Sequence, residues 1–177
     1  MSDEPTTPKT PKTLGSQTSD TFMRLETASD NRAAAVALAQ QASRRISIFS
    51  RDLDPAVYDD PAFLDAVRAL ATRGGQVMIR ILLVDATRAT KEGHRLIELS
   101  RRLSTFVQVR KPHRDYLDMG EGFLIADETG LLYRKLSTRW EGTADTHDPM
   151  GAREKLKLFD TIWEKSQPEI ESRQLGI

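Results

Sequence analysis

The run Val77-Met78-Ile79-Arg80-Ile81-Leu82-Leu83-Val84 is apolar at every position but one. A strand with one wet face alternates polar and apolar residues; this one has no polar face and must be covered on both sides. Such a strand belongs in the middle of an α/β sheet, with helices packed above and below. Arg45-Ile46-Ser47-Ile48-Phe49 and Phe106-Val107-Gln108-Val109-Arg110 read as its neighbours, and each gap between the three holds a helical pattern. Asp60-Pro61 opens the first helix, with an acid at the cap and proline in the first turn. Phe63, Ala66, Val67 and Leu70 line its buried face, and Gly74-Gly75 ends it. The second runs from about Thr87 to Leu103 and presents Leu96, Leu99 and Leu103. Glycine costs about 1 kcal/mol inside a helix, so Gly93 implies close packing there, and His94 beside it is not taken as a ligand. Two β-α-β passages in succession predict right-handed crossovers and a largely parallel sheet.

Outside this centre, Phe22 to Glu26 reads as a short strand, and Ser29-Asp30-Asn31 as cap chemistry for a helix with Ala35, Leu38, Ala39 and Ala42 on its face. Phe123 to Ala126 is a short apolar run ending in Asp127; Glu128-Thr129-Gly130 turns the chain and Leu131-Leu132-Tyr133 resumes, so the whole predicts a β-hairpin. Ser137 to His147 reads as a loop. Asp148-Pro149 caps a last helix whose buried face is Ala152, Leu156, Phe159 and Trp163.

The expected domain is residues 21–166, flanked by tails. Residues 1–20 are rich in Thr, Ser, Pro and Lys, with two Thr-Pro-Lys units, and have too little apolar surface to offset their ordering entropy. Residues 167–177 lack a core pattern and are expected to fray. A chain of 177 residues has room for one such domain. Lys+Arg and Asp+Glu both total 26, so overall charge selects no partner and any electrostatic function must come from local clustering. With no cysteine there are no disulfides, thiolate metal sites or cysteine nucleophiles. The longest unbroken apolar run, Ala33 to Ala39, is far short of the ~20 residues of a membrane span. Met1-Ser2-Asp3-Glu4-Pro5 carries no secretory signal, and a cytoplasmic protein is the default expectation.

A hairpin so placed, late in an α/β chain, resembles the catalytic strand of the phospholipase D superfamily, whose signature runs His-x-Lys-x4-Asp-x6-Gly-Ser-x-Asn. With Asp127 on the signature acid, the histidine falls on Gly120, the lysine on Gly122, and Gly-Ser-x-Asn on Arg134-Lys135-Leu136-Ser137. Leu158-Phe159-Asp160-Thr161-Ile162-Trp163-Glu164 looks like the Phe-x-x-x-Trp pattern that often ends a half of such an enzyme. The resemblance covers about residues 44–166 and implies an α/β fold similar to a single phospholipase D half, a mixed, mostly parallel sheet with flanking helices. Phe49-Ser50-Arg51-Asp52-Leu53-Asp54-Pro55 and Gly93-His94-Arg95-Leu96-Ile97 also look like marks of a small bacterial family of unassigned function. Some of its relatives carry an acetyltransferase domain alongside, which implies such a domain as a partner.

Only Asp127 survives of the signature. Family chemistry needs a histidine that attacks phosphorus and a second that protonates the leaving group, with lysine and asparagine holding the phosphoryl oxygens. Glycine offers only a backbone N–H. The resemblance therefore implies a pseudoenzyme with no catalytic residues, and no cofactor or metal is expected.

Arg101, Arg102, Arg110, Lys111 and Arg114, with His113 among them and no acid between Ser100 and Arg114, form the strongest local charge feature. Arg110, Lys111, His113 and Arg114 sit where a strand ends, the place where open α/β sheets bind ligands. Arg134, Lys135 and Arg139 are expected on the same side, from the hairpin. Positive charge there suits a phosphate-bearing ligand, against the alternative of solvated surface charge paired with Asp115 and Asp118. Few aromatics interleave these residues, so base stacking is not indicated. Asp52 and Asp54 are explained by turn and capping roles, and Thr143, Asp145, Thr146, His147 and Asp148 form a further polar cluster beside a helix start. The leading expectation is a non-catalytic accessory module that binds a phosphate-bearing ligand. A scaffold domain, as a homodimer or with a protein partner, and an enzyme of unrelated chemistry remain open alternatives.

Overall fold

In the computed structural model, residues 20–169 are described. The chain order is β1 (Phe22–Leu25), α1 (Ala28–Gln41), β2 (Arg45–Ser50), α2 (Pro55–Tyr58), α3 (Pro61–Thr72), β3 (Met78–Leu83), α4 (Thr87–Glu92), α5 (Arg95–Arg102) and β4 (Val107–Lys111). A 3-10 turn at Arg114–Tyr116 leads to β5 (Gly122–Ala126), β6 (Gly130–Arg134), β7 (Gly142–Asp145), α6 (Pro149–Lys165) and β8 (Gln167–Pro168). The strands form one sheet in the order β1-β7-β6-β5-β2-β3-β4-β8.

The α/β class stands, but the sheet is mostly antiparallel. Only β2–β3 and β3–β4 pair in parallel: at these steps a helical crossover returns the chain to the starting end and the next strand lies alongside. By contrast, α1 and α6 carry the chain between strands that are not neighbours in the sheet. From β4 the chain returns through the 3-10 turn alone, so β5 enters antiparallel beside β2, with Phe123 opposite Phe49. The turn through Asp127, Glu128 and Thr129 then makes the predicted hairpin, Gly122 opposite Arg134 and Ala126 opposite Gly130. The region expected as a loop contains β7, which pairs with β6 and β1. Gln167 and Pro168, expected to fray, pair as β8 with Lys111 and Arg110 at the far edge. Of the two expected tails, residues 1–19 and 170–177 lie outside the described residues.

Two cores follow from the alternation of strand side chains. Ile46, Ile48, Ile79, Ile81, Leu83, Leu124 and Leu132 pack with α1, α3 and α5 on one face. Phe49, Leu82, Phe123 and Ile125 pack under α6, against Leu156, Phe159, Ile162 and Trp163, on the other. Phe49 stacks on Phe123 and Phe159 on Trp163, with centroids 5.5 Å and 5.8 Å apart. Among the described residues no helix is long and apolar enough to cross a membrane.

Helix ends are set by local chemistry. Asp60 accepts from the amides of Ala62 and Phe63, and Asp148 from that of Gly151. The α1 cap lies earlier than expected, at Thr27: its hydroxyl accepts from Asp30 N–H while the Asp30 carboxylate accepts from Thr27 N–H. The single helix expected over 87–103 is two. Gly93 (φ 69°) ends α4 in the left-handed conformation, and its missing side chain would meet nothing within 4 Å, so close packing does not explain it. His94 then caps α5.

Candidate functional site

Two places lie at the carboxyl end of the parallel strands: the positions of the phospholipase D-type signature other than Asp127, and the basic end of β4. At the first, strand pairing sets Gly122 opposite Arg134, and Ser137 N–H donates to the Gly120 carbonyl at 2.7 Å. A Cβ on Gly122 would stand 3.4 Å from Ser137 Cβ and 3.6 Å from the Phe49 carbonyl. The fold thus brings Gly120, Gly122, Arg134 and Ser137 together. The two glycines supply no imidazole or ammonium of their own, and the Lys155 ammonium beside them is bonded to Glu121 at 2.8 Å.

Arg134 occupies that ground. Its guanidinium donates to Asp54 at 2.6 Å and to the Arg139 carbonyl at 3.0 Å, and lies 5.2 Å from the Trp140 ring centroid. Its side chain is 4% exposed and that of Asp54 15%, so the pair is buried. Burial pushes the neighbouring Tyr58 phenol up to about 12, with Arg134 pulling it down and Asp54 pushing it up. The turn that delivers Asp54 is held from behind. Leu53 adopts a left-handed φ of 55°; its amide donates to Ser50 Oγ and its carbonyl lies 2.8 Å from His94 Nε2. His94 Nδ1 accepts from Leu96 N–H, so the neutral imidazole is satisfied at both nitrogens. Burial holds its pKa below the ordinary value of 6.5.

Asp127 sits at the opposite end of β5 with a left-handed φ of 53°. Its carboxylate accepts from the amides of Ser43, Arg44 and Arg45 and from the Ser43 hydroxyl, clamping the α1–β2 turn. Partial burial pushes its pKa up, but these hydrogen bonds outweigh that and hold it below the ordinary carboxylate value. The retained signature residue therefore fixes backbone, at the end of β5 opposite Gly120 and Gly122.

The second place gathers Lys111, Pro112, His113, Arg114, Lys165 and Gln167 around a depression of about 290 Å³. Lys111 ends β4, and His113 and Arg114 enter the 3-10 turn, where His113 Nδ1 lies 3.3 Å from Asp115 N–H and from its carboxylate. Lys165 arrives from the end of α6, with its ammonium 6.0 Å from the Tyr116 ring. Among the described residues, none of Lys111, Arg114 and Lys165 has an acidic partner. The positive field reaches Asp85, whose pKa is held low by hydrogen bonds from the side chain and amide of Thr87, and further by Arg51 and Lys111.

Lys111, His113 and Arg114 thus come together. Arg110 does not join them: it stacks 4.3 Å over Trp163 and donates to that residue's carbonyl. Arg134 and Arg139 are at the same end of the sheet but four strands away, about 19 Å at ~4.8 Å per strand. Lys165 was missed because nothing in a helix's last turn indicates that β8 will fold it back onto β4. Of the remaining polar candidates, Asp52 pairs with Arg88, His147 N–H donates to Asp145, and no metal-holding group of three or more His, Asp or Glu occurs among the described residues.

TrmBL2, an archaeal chromatin protein whose structure shows a novel mode of DNA binding, is similar at 14% identity and TM-score 0.61 over 87% of this chain and 57% of that one. Nuc from Salmonella typhimurium, a phospholipase D family member, is similar at 14% identity and TM-score 0.55 over 78% and 90%. Phosphatidylserine synthase from Haemophilus influenzae Rd KW20 gives 11% identity and 0.56 over 89% and 40%. The present chain thus spans little more than half of the first and less than half of the last. At such identities the likeness is one of fold, and the fold is phospholipase D-like. No curated protein matches the sequence. A family described as a domain of unknown function, DUF7931, matches residues 27–175. That match takes in every element from α1 to β8, and the chain belongs to this family.

Proposed function

We propose that this domain is a non-catalytic, single phospholipase D-like half that binds a phosphate-bearing ligand at the basic depression beside β4. The observation that carries this reading is the lining: Lys111, Arg114, Lys165 and His113 converge there with no acidic side chain among the lining residues. Charge-assisted hydrogen bonds from such groups to phosphoryl oxygens are about twice as strong as neutral ones. The loss of phosphodiesterase chemistry is supported by the signature positions. Glycines stand for the histidine and lysine, and Arg134 beside them is already bonded to Asp54.

Thermal unfolding against phosphate, nucleotides, coenzyme A, short nucleic acids and phospholipid headgroups tests the reading. A ligand at about 100 times its Kd adds about 2.7 kcal/mol, several degrees in Tm for a chain of this size. Replacing Lys111, Arg114 and Lys165 with Ala removes the shift while leaving the unliganded Tm close to its original value, since all three are exposed. Arg110 is left intact in this variant because its stacking on Trp163 is structural. A shift that survives the triple replacement, or none with any anion, refutes the proposal.

A further inference from the structure

Resting on that reading, we infer that the depression takes the terminal phosphate of a compact phosphate monoester and not the phosphodiester backbone of a nucleic acid. Three permanent cations, Lys111, Arg114 and Lys165, surround a space of about 290 Å³, at the small end of ligand sites. A terminal phosphate carries close to two negative charges near neutral pH and three equivalent acceptor oxygens; a diester carries one charge and must leave the site in two directions. His113 completes the lining, its Nδ1 turned to the Asp115 amide and carboxylate at 3.3 Å.

The surroundings argue against a polyanion track. A specific protein–DNA interface buries on the order of 1,000 Å² or more of protein and needs cations spread along it. Of the other cations on this side, Arg88 is bonded to Asp52 and Glu92 and Arg110 is stacked on Trp163, while Arg51 shares the field at Asp85 with Lys111. Single-strand binders also present exposed aromatic platforms. The one large aromatic side chain exposed among the described residues is Phe22, on β1 at the opposite edge of the sheet. The likeness to a DNA-binding chromatin protein is one of fold.

The test is titration calorimetry of the whole chain with methyl phosphate, dimethyl phosphate and a short single-stranded DNA, each against the original protein and the Lys111→Ala, Arg114→Ala, Lys165→Ala variant. The expected result is methyl phosphate binding at least about tenfold tighter than dimethyl phosphate, lost in the variant, with no tighter binding of the oligonucleotide. Dimethyl phosphate or DNA binding as well as the monoester, and lost in the variant, overturns the ligand class but leaves the anion site standing. Binding unchanged by the variant, or none from any probe, removes the site and the inference together.

Discussion

Arg134 and His94 hold the ground of the signature, Arg134 directly and His94 from behind the turn that carries Asp54. Arg134 matches a glycine of the phospholipase D signature in position, yet it forms the buried pair with Asp54 that fills the signature's ground. Removing one member of a buried pair costs about 3–5 kcal/mol, whereas replacing both with apolar groups of similar size is often neutral. Arg134→Met alone is therefore expected to destabilise by that amount in urea unfolding, and Arg134→Met with Asp54→Leu to recover most of it. Equal loss in both would show that the pair itself stabilises the fold. His94 supports the same turn from below. Its pKa is lowered in the fold, so the unfolded chain takes up the proton first as pH falls. The stability it contributes is complete above its ordinary 6.5 and drains below it. Tm should drop between about pH 7 and 5.5 more steeply in the original protein than in His94→Gln; parallel profiles would contradict this. The sequence marked Asp54, His94 and Arg134 singly but not their pairing, because Asp54 and Arg134 are brought together only by strand register.

At the scale of elements, the parts with local causes were legible. Asp60-Pro61 and Asp148-Pro149 open helices where proline and acid say they should, and Glu128-Thr129-Gly130 turns the hairpin. What failed depended on partners. Gly142 to Asp145 has no strand signal of its own and becomes β7 only between β6 and β1; Gln167-Pro168 becomes β8 only because β4 has an open edge. The helix expected over 87–103 breaks at Gly93, where the glycine is required by a positive φ and not by crowding. Gly93→Ala forces a Cβ into the left-handed region at about 1–2 kcal/mol, or about 2–8 °C in Tm at 2–4 °C per kcal/mol. Gly93→Asn should lose less. No loss in the Ala variant would mean that the α4–α5 corner relaxes into a continuous helix.

Across the whole molecule, the parallel centre was readable from Val77 to Val84, since burial on both faces leaves a composition that few other placements tolerate. The antiparallel majority was not, because the return from β4 through a short 3-10 turn could not be told from one more crossover. That return nevertheless determines the candidate site. It sets Lys111, His113 and Arg114 on an exposed corner, and β8 closes the corner by bringing Lys165 alongside. The same return lays β5 against β2, bringing Gly120 and Gly122 to the signature's location without its side chains. The two places are separate, which allows a single experiment to choose between them. Backbone and side-chain NMR shifts should be mapped while inorganic phosphate is added. The account predicts perturbations at Lys111, His113, Arg114, Lys165 and Gln167, with Gly120, Gly122 and Ser137 unmoved. Perturbations centred on Gly120, Gly122 and Ser137, or spread evenly over every exposed cation, would contradict it.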